Sequence, residues 1–122
     1  MSGTVERFFE HLSARDWASL SGVLAPEVER VGPFGDRVSG RDRYLAMLEE
    51  AVPAVYRNDV HLVTYAADRR AAFARLTEHL GYPDQTLHLE EAYAFELDAG
   101  GLVRRIEVFW QTPQYKPTAG SS

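Results

Sequence analysis

The sequence predicts an α+β fold: a cone-shaped, curved, mostly antiparallel sheet wrapped around three N-terminal helices and enclosing a pocket. Two observations carry that expectation. Apolar residues recur with a helical period before residue 57 and with a strand period after it. The second half then divides into four alternating runs joined by short turn segments, an antiparallel meander. Helices segregated from such a run pack on one face of its sheet. Helices cannot fill a strongly bent sheet completely, so the interior of the cone is a candidate ligand cavity.

Each element has its own justification. Val5, Phe8, Phe9 and Leu12 fall at i, i+3, i+4 and i+7, one stripe of an amphipathic helix, with Thr4 or Ser2 as its cap. Asp16 offers a carboxylate cap to a second helix whose apolar face is Trp17, Leu20, Val23 and Leu24. Pro26 is expected to end that helix. Val28 to Val31 alternates as a short strand, and Gly32-Pro33-Phe34-Gly35 is turn chemistry. A third helix begins near Ser39-Gly40-Arg41-Asp42, with Tyr44, Leu45, Leu48 and Val52 as its stripe. The four strands are expected at 59–66, 71–80, 86–97 and 102–112.

Composition bounds the rest. The 122 residues make one domain, expected over 1–113, with a flexible tail at 114–122 that carries Pro117, Gly120 and two serines. Hydrophobic residues at 45% and charged residues at 25% place the chain among globular proteins rather than disordered ones. The net charge of −5 gives no basic footprint for nucleic acid. The absence of cysteine excludes disulfides, thiolate metal sites and a cysteine nucleophile. No apolar run approaches a membrane span, and the first seven residues have no signal core, so a cytoplasmic protein is expected.

The element order, with Gly32-Pro33-Phe34-Gly35, then Ser39-Gly40-Arg41 and a terminal strand ending in Trp110, resembles the nuclear-transport-factor-2-like superfamily. The nearer likenesses are the ketosteroid isomerases and the SnoaL-like polyketide cyclases, over roughly residues 4–112. The resemblance implies a catalytic Asp before the Pro-Phe-Gly turn, where this chain has Gly32. It implies a Tyr donor on the first helix, where this chain has Phe8, and an Asp donor two residues before a strand Phe, where it has Tyr93 before Phe95. Glycine cannot take a proton, so ketosteroid isomerase activity by that constellation is rejected. Trp110 matches the family's pocket-lining aromatic. Cyclases of this fold use an Asp or His base, and epoxide-opening relatives use a carboxylate pair around water. The superfamily also holds binders and assembly modules, so the fold alone carries no function.

Which ionisable groups face inward is then the question. Leu87, Leu89, Glu91, Tyr93, Phe95 and Leu97 share one strand face, apolar apart from Glu91 and Tyr93. A carboxylate on an apolar face has a raised pKa unless paired, which suits acid–base work near neutrality. Glu91 is therefore the candidate base or acid; a structural ion pair is the other reading. Tyr93 is a candidate oxyanion donor, or a core tyrosine bonded to backbone. Arg30 alternates with Val28, so either it or Val31 faces in. His61 is the fourth catalytic candidate, and both faces of its strand are mixed. Glu78 and His79 occupy opposite faces of theirs, so only one can point inward.

Trp110, with Ile106 and Val108 beside it by period two, and Leu89, Phe95, Phe8 and Trp17 are the candidate ligand-binding wall; Phe8 and Trp17 serve equally well as core. The four histidines lack ligand spacing, so no metal site is expected. Proton transfer and ring closure need only positioned acids and bases, so no cofactor is expected either. The partner is a small apolar molecule. The outer sheet face, with His88, Glu90, Glu96, Arg105, Glu107 and Phe109, is expected to form a homodimer as relatives do, with Glu90 or Glu107 opposite Arg105. Two functions stay open: a cofactor-free isomerase, cyclase or epoxide-opening enzyme, and a non-catalytic binding or dimerisation module.

Overall fold

The computed structural model of the chain describes residues 3–111. The expected tail from residue 114, and Ser2, lie outside the described residues. The element order is α1 (Thr4–Ala14), α2 (Trp17–Ser21), β1 (Leu24–Val31), β2 (Arg37–Ser39), α3 (Arg41–Ala51), β3 (Val55–Tyr65), β4 (Ala71–Gly81), β5 (Thr86–Leu97) and β6 (Val103–Trp110). Three helices thus precede the long strands of a six-stranded, unclosed sheet with strand order β2-β1-β6-β5-β4-β3. Every pairing is antiparallel except β1 with β6. That parallel contact brings the first strand back beside the last and bends the sheet around the helices.

The α1 stripe is as the periodicity predicts, with Val5, Phe8, Phe9 and Leu12 all buried. Its cap is not. Gly3 occupies the cap position without a side-chain bond, and the Thr4 hydroxyl instead donates to the Gly101 carbonyl at 2.8 Å, tying α1 to the β5–β6 turn. Asp16 does cap α2, accepting from the Ser19 amide at 3.1 Å and its hydroxyl at 2.7 Å. That helix ends at Ser21, before Gly22, so Val23 and Leu24 leave it. Pro26 stands inside β1, where the register against β6 shifts between Leu24 and Glu29. A residue without an N–H is tolerated at such an irregularity. Arg37–Ser39, too short to show a strand period, pairs with β1 across the Gly32–Gly35 turn as a short edge.

The core lies between the concave sheet face and the helices. Phe8 and Phe9 of α1 meet edge-on at 5.1 Å, and both contact the rings of Tyr93 and Phe95. Tyr44 and Leu48 of α3, with Leu76, Ile106 and Val108, complete it. Each large apolar side chain buried here contributes roughly 1.5–3 kcal/mol.

The strand faces follow period two on β4, on β5 and on β6 from Arg105 onward; an inserted residue at Arg104 puts Val103 on the inward face as well, and β3 departs from the period too. Tyr56 and Asn58 face inward before a bulge between Val60 and Leu62, and Val63 and Tyr65 face inward after it. The extra residue at a bulge reverses the alternation. That reversal explains why the strand read as mixed on both faces.

Candidate active site

A cavity of about 230 Å³ lies between the C-terminal half of α3, the end of the β4–β5 hairpin and the concave sheet. Its wall is mostly apolar, with Leu12, Met47, Leu48, Leu80, Leu87 and Leu89 among the lining residues. Arg30, Tyr56, Glu78, Tyr82, Glu91 and Tyr93 are its charged and hydroxyl-bearing lining residues.

Glu78 and Glu91 form its chemical centre. On β4 the inward face reads Ala72, Ala74, Leu76, Glu78, Leu80; on β5 it reads Glu91, Tyr93, Phe95, Leu97. The register sets Leu76 opposite Glu91 and Glu78 opposite Leu89, so the two carboxyls are diagonal neighbours on one face. Both are buried, Glu78 at 8% exposure and Glu91 at 5%. The Tyr56 hydroxyl donates to Glu78 Oε2. Asn58 Nδ2 donates to the Phe9 carbonyl at 3.2 Å and to the Tyr56 hydroxyl at 3.4 Å, which fixes Tyr56 from behind. Glu91 Oε1 is buried and has no hydrogen-bond partner among the described residues.

Two carboxylates cannot share a low-dielectric site while both are charged. Glu91 absorbs the conflict: burial, then the hydrogen bond and charge of Glu78, push its pKa up to about 10, while Trp110 and Arg30 pull the other way. Glu91 is therefore a carboxylic acid at neutral pH. The hydroxyls of Tyr44, Tyr56 and Tyr93 are also raised, by burial first. All three keep their protons, and Tyr56 donates its own to the pair.

Arg30 faces inward, with its side chain 15% exposed, so Val31 is not the inward residue. Its ion pair is with Asp36 at 3.0 Å, and not with Glu91. Gly32 lies against that pair. A Cβ at position 32 would stand 2.4 Å from Asp36 Oδ1 and 2.7 Å from Arg30 Nη1. The place where isomerases carry their base is filled here by an arginine–aspartate pair.

The remaining candidates divide. Leu89 and Tyr93 line the cavity. Trp110 lines it at the rim, 36% exposed, directly across from Glu91 and edge-on to Phe34 at 5.1 Å. Phe8, Phe95, Ile106 and Val108 are core behind the cavity and do not line it, because the aromatic cluster fills that end of the cone. Trp17 is not part of the wall either; it packs at the edge of the core under the Arg15 guanidinium, 5.5 Å from the ring centroid. His61 sits at the β3 bulge on the outer face, exposed, with Nε2 2.8 Å from the Thr77 hydroxyl. It is the one catalytic candidate that the fold turns away from the cavity.

Glu78, Tyr56 and Asn58 are site residues that the sequence by itself does not single out. The signal for Glu78 was the same as for Glu91, a single carboxylate in an otherwise apolar alternation. Tyr56 and Asn58 precede residue 59, where the strand was expected to begin, so their facing went unread. Among the described residues no three histidine, cysteine or carboxylate side chains converge as a metal-ligand set.

The fold recurs in solved structures. A ketosteroid isomerase-like protein of Kribbella flavida superposes with a TM-score of 0.78 at 26% identity, covering 96% of this chain and 81% of that one. An LEH-like epoxide hydrolase of Mycobacterium tuberculosis gives 0.76 at 18% identity, covering 88% and 80%. A polyketide cyclase-like protein of Xanthomonas campestris gives 0.76 at 22% identity, covering 88% and 87%. At the identities of the last two, the likeness is one of fold. No curated protein gives a significant sequence match. The model of the SnoaL-like domain matches residues 5–106, nearly the whole helix-and-sheet unit described above, and the chain belongs to that family.

Proposed function

We propose that the chain is a cofactor-free acid–base enzyme that opens a small apolar epoxide with water in the cone cavity. The observation that carries this reading is the buried Glu78–Glu91 pair, with Tyr56 donating to Glu78. Glu91, holding its proton at neutral pH, donates it to the ring oxygen as the C–O bond breaks. Glu78 takes a proton from the water that attacks the carbon. The proton then returns from Glu78 to Glu91 across the pair, and the product is a diol. Tyr56, fixed by Asn58, steadies Glu78 throughout. Arg30, which faces the pair electrostatically, offsets the negative charge that Glu91 acquires. Tyr93 is a further donor for a substrate oxygen. The family includes cyclases, isomerases and epoxide hydrolases, and of these chemistries a carboxyl pair of this kind suits hydrolytic opening best.

The cavity is smaller than the roughly 300–1,000 Å³ of drug-sized sites, so the substrate is small. The test uses cyclohexene oxide and 1-methylcyclohexene oxide in water enriched in oxygen-18. The expected result is labelled diol from the native chain. Glu91→Gln and Glu78→Gln should each reduce turnover by about 10²–10⁴-fold with the fold retained. Binding without turnover, or full activity in Glu91→Gln, overturns the catalytic reading and leaves a ligand-binding module.

We also propose that two copies associate through the outer sheet face. Leu62, Phe73 and Phe109 lie on it at 46%, 40% and 51% exposure around Arg75, Ala92 and Ala94. Arg105 there pairs with Glu29 and Glu96, and weakly with Glu107; Glu90 accepts from Thr77 instead. Light scattering on a sizing column should give twice the chain mass, and Phe109→Arg should return it to the monomer.

A further inference from the structure

Three of the chain's four histidines lie on the outer sheet face, and two of them are in register. His79 on β4 is directly opposite His88 on β5. Their Nδ1 atoms stand 2.7 Å apart with the rings nearly perpendicular, at 77°. The other nitrogen of His79, Nε2, is 2.8 Å from Asp59 Oδ2. Asp59 Oδ2 also accepts from Arg57 Nη2 at 3.2 Å, so it serves as an acceptor on both sides.

The proton positions follow. Asp59 can only accept, so His79 carries its proton on Nε2. In the neutral ring the lone pair is then on Nδ1, the atom that faces His88. A close contact between two imidazole nitrogens needs one proton between them, supplied here by His88 Nδ1. A metal ion can take the place of that proton if His88 moves its own to Nε2, which turns two lone pairs toward one point. Asp59 supplies what metal-bound histidines characteristically have, a carboxylate on the distal ring nitrogen that fixes tautomer and orientation. Arg57, opposite His79 in register, pairs with Asp59 at 3.2 Å and holds the carboxylate in place.

We propose that His79 and His88, with Asp59 behind His79, form a bidentate site for a square-planar or tetragonal divalent ion, with copper(II) preferred over zinc(II). The geometry selects the metal. At metal–nitrogen distances of about 2.0–2.1 Å, two ligands at a right angle stand about 2.9 Å apart, and two at the tetrahedral angle about 3.4 Å. From the hydrogen-bonded separation of 2.7 Å, both partly exposed rings turn so that their lone pairs converge off the nitrogen–nitrogen line, and the right-angled arrangement needs the smaller widening of the two. Right-angled nitrogen ligands suit copper and nickel, and copper also leads the affinity order. Waters complete the coordination. All the protein groups come from one chain, and the row lies beyond Thr77 and Glu90, toward the hairpin, from the apolar patch around Phe73 and Phe109. The site is separate from the cavity, since β4 and β5 send His79 and His88 to the face opposite Glu78 and Glu91.

The test titrates the untagged full chain with glycine-buffered copper(II). It is read by the visible d–d band and by nitrogen couplings in the electron paramagnetic resonance spectrum. One ion per chain with two imidazole nitrogens is expected. His79→Gln and His88→Gln should each weaken binding at least about 10-fold, and Asp59→Asn by about 10–100-fold. His61→Gln and His11→Gln should leave it unchanged, and Phe109→Arg should retain one ion per chain. Zinc(II) should bind more weakly than copper(II). These are surface substitutions, so melting temperatures should stay close to the native value and binding losses can be read directly. Equal copper affinity in His88→Gln, or half an ion per chain, overturns the site as proposed.

Discussion

Glu78 and Glu91 sit on neighbouring antiparallel strands two positions out of register, both buried on the concave face, and only Glu78 receives the Tyr56 hydroxyl. The pair is chemically unequal as a result. One carboxyl is held as the acceptor, and the other keeps its proton.

Stability should therefore depend on pH through Glu91. Its folded pKa of about 10 is above the ordinary 4.5, so the stabilisation is complete below the unfolded pKa. Between about 4.5 and 10 the unfolded chain releases a proton that the folded chain keeps, and stability falls as pH rises through that window. Glu91→Gln removes this penalty while keeping the shape. At pH 8 the variant should be more stable than the native chain by about 1–3 kcal/mol, with the gap narrowing toward pH 5. Thermal unfolding at the two pH values measures it.

Tyr56→Phe takes away the donor to Glu78 and leaves a buried carboxyl short of a partner. Hydrogen bonds to charged groups are worth about 1.5–3 kcal/mol, and the variant should lose about that much in urea unfolding. If Glu78 is the base of the proposed reaction, turnover should fall further than stability does.

Arg30→Met should raise the Glu91 pKa still further, because the guanidinium acts to lower it. Methionine keeps much of the stem's length and removes the charge, together with the Nη1 donation to Met47 Sδ at 3.9 Å. Carbon-13 NMR of labelled glutamates should show the Glu91 carboxyl titrating at higher pH than in the native chain.

Gly32→Asp is the change that would restore the residue type of isomerases. It should not restore their activity. The new side chain would overlap the Asp36 carboxylate and place a second acid beside it. The half-exposed Asp36 carboxylate can swing aside, so a loss of about 1 kcal/mol or less is expected, from weakened pairing with Arg30, measured by chemical unfolding.

Much of this architecture was legible in the residues. The α1 stripe, the Asp16 cap, the third helix from Arg41 and the faces of β5 and of β6 from Arg105 onward follow from period and cap chemistry. Each depends on side chains a few residues apart. The inward placement of Glu91 and Tyr93 belongs to the same class, since one carboxylate and one phenol interrupt an apolar alternation.

What the tertiary structure decided lies between elements. Alternation places Glu78 on one face of its strand, but only the β4–β5 register brings it beside Glu91. The bulge after Val60 reverses β3, turning Tyr56 and Asn58 inward and His61 out, and no local period announces an inserted residue. Arg30 faces the cavity because the β1–β6 register, shifted between Leu24 and Glu29, sets it beside the inward-facing Ile106. Local sequence sets which face a side chain prefers, because that preference depends on two or four neighbours. Which groups then meet is set by strand register and sheet curvature, which are properties of the packed whole.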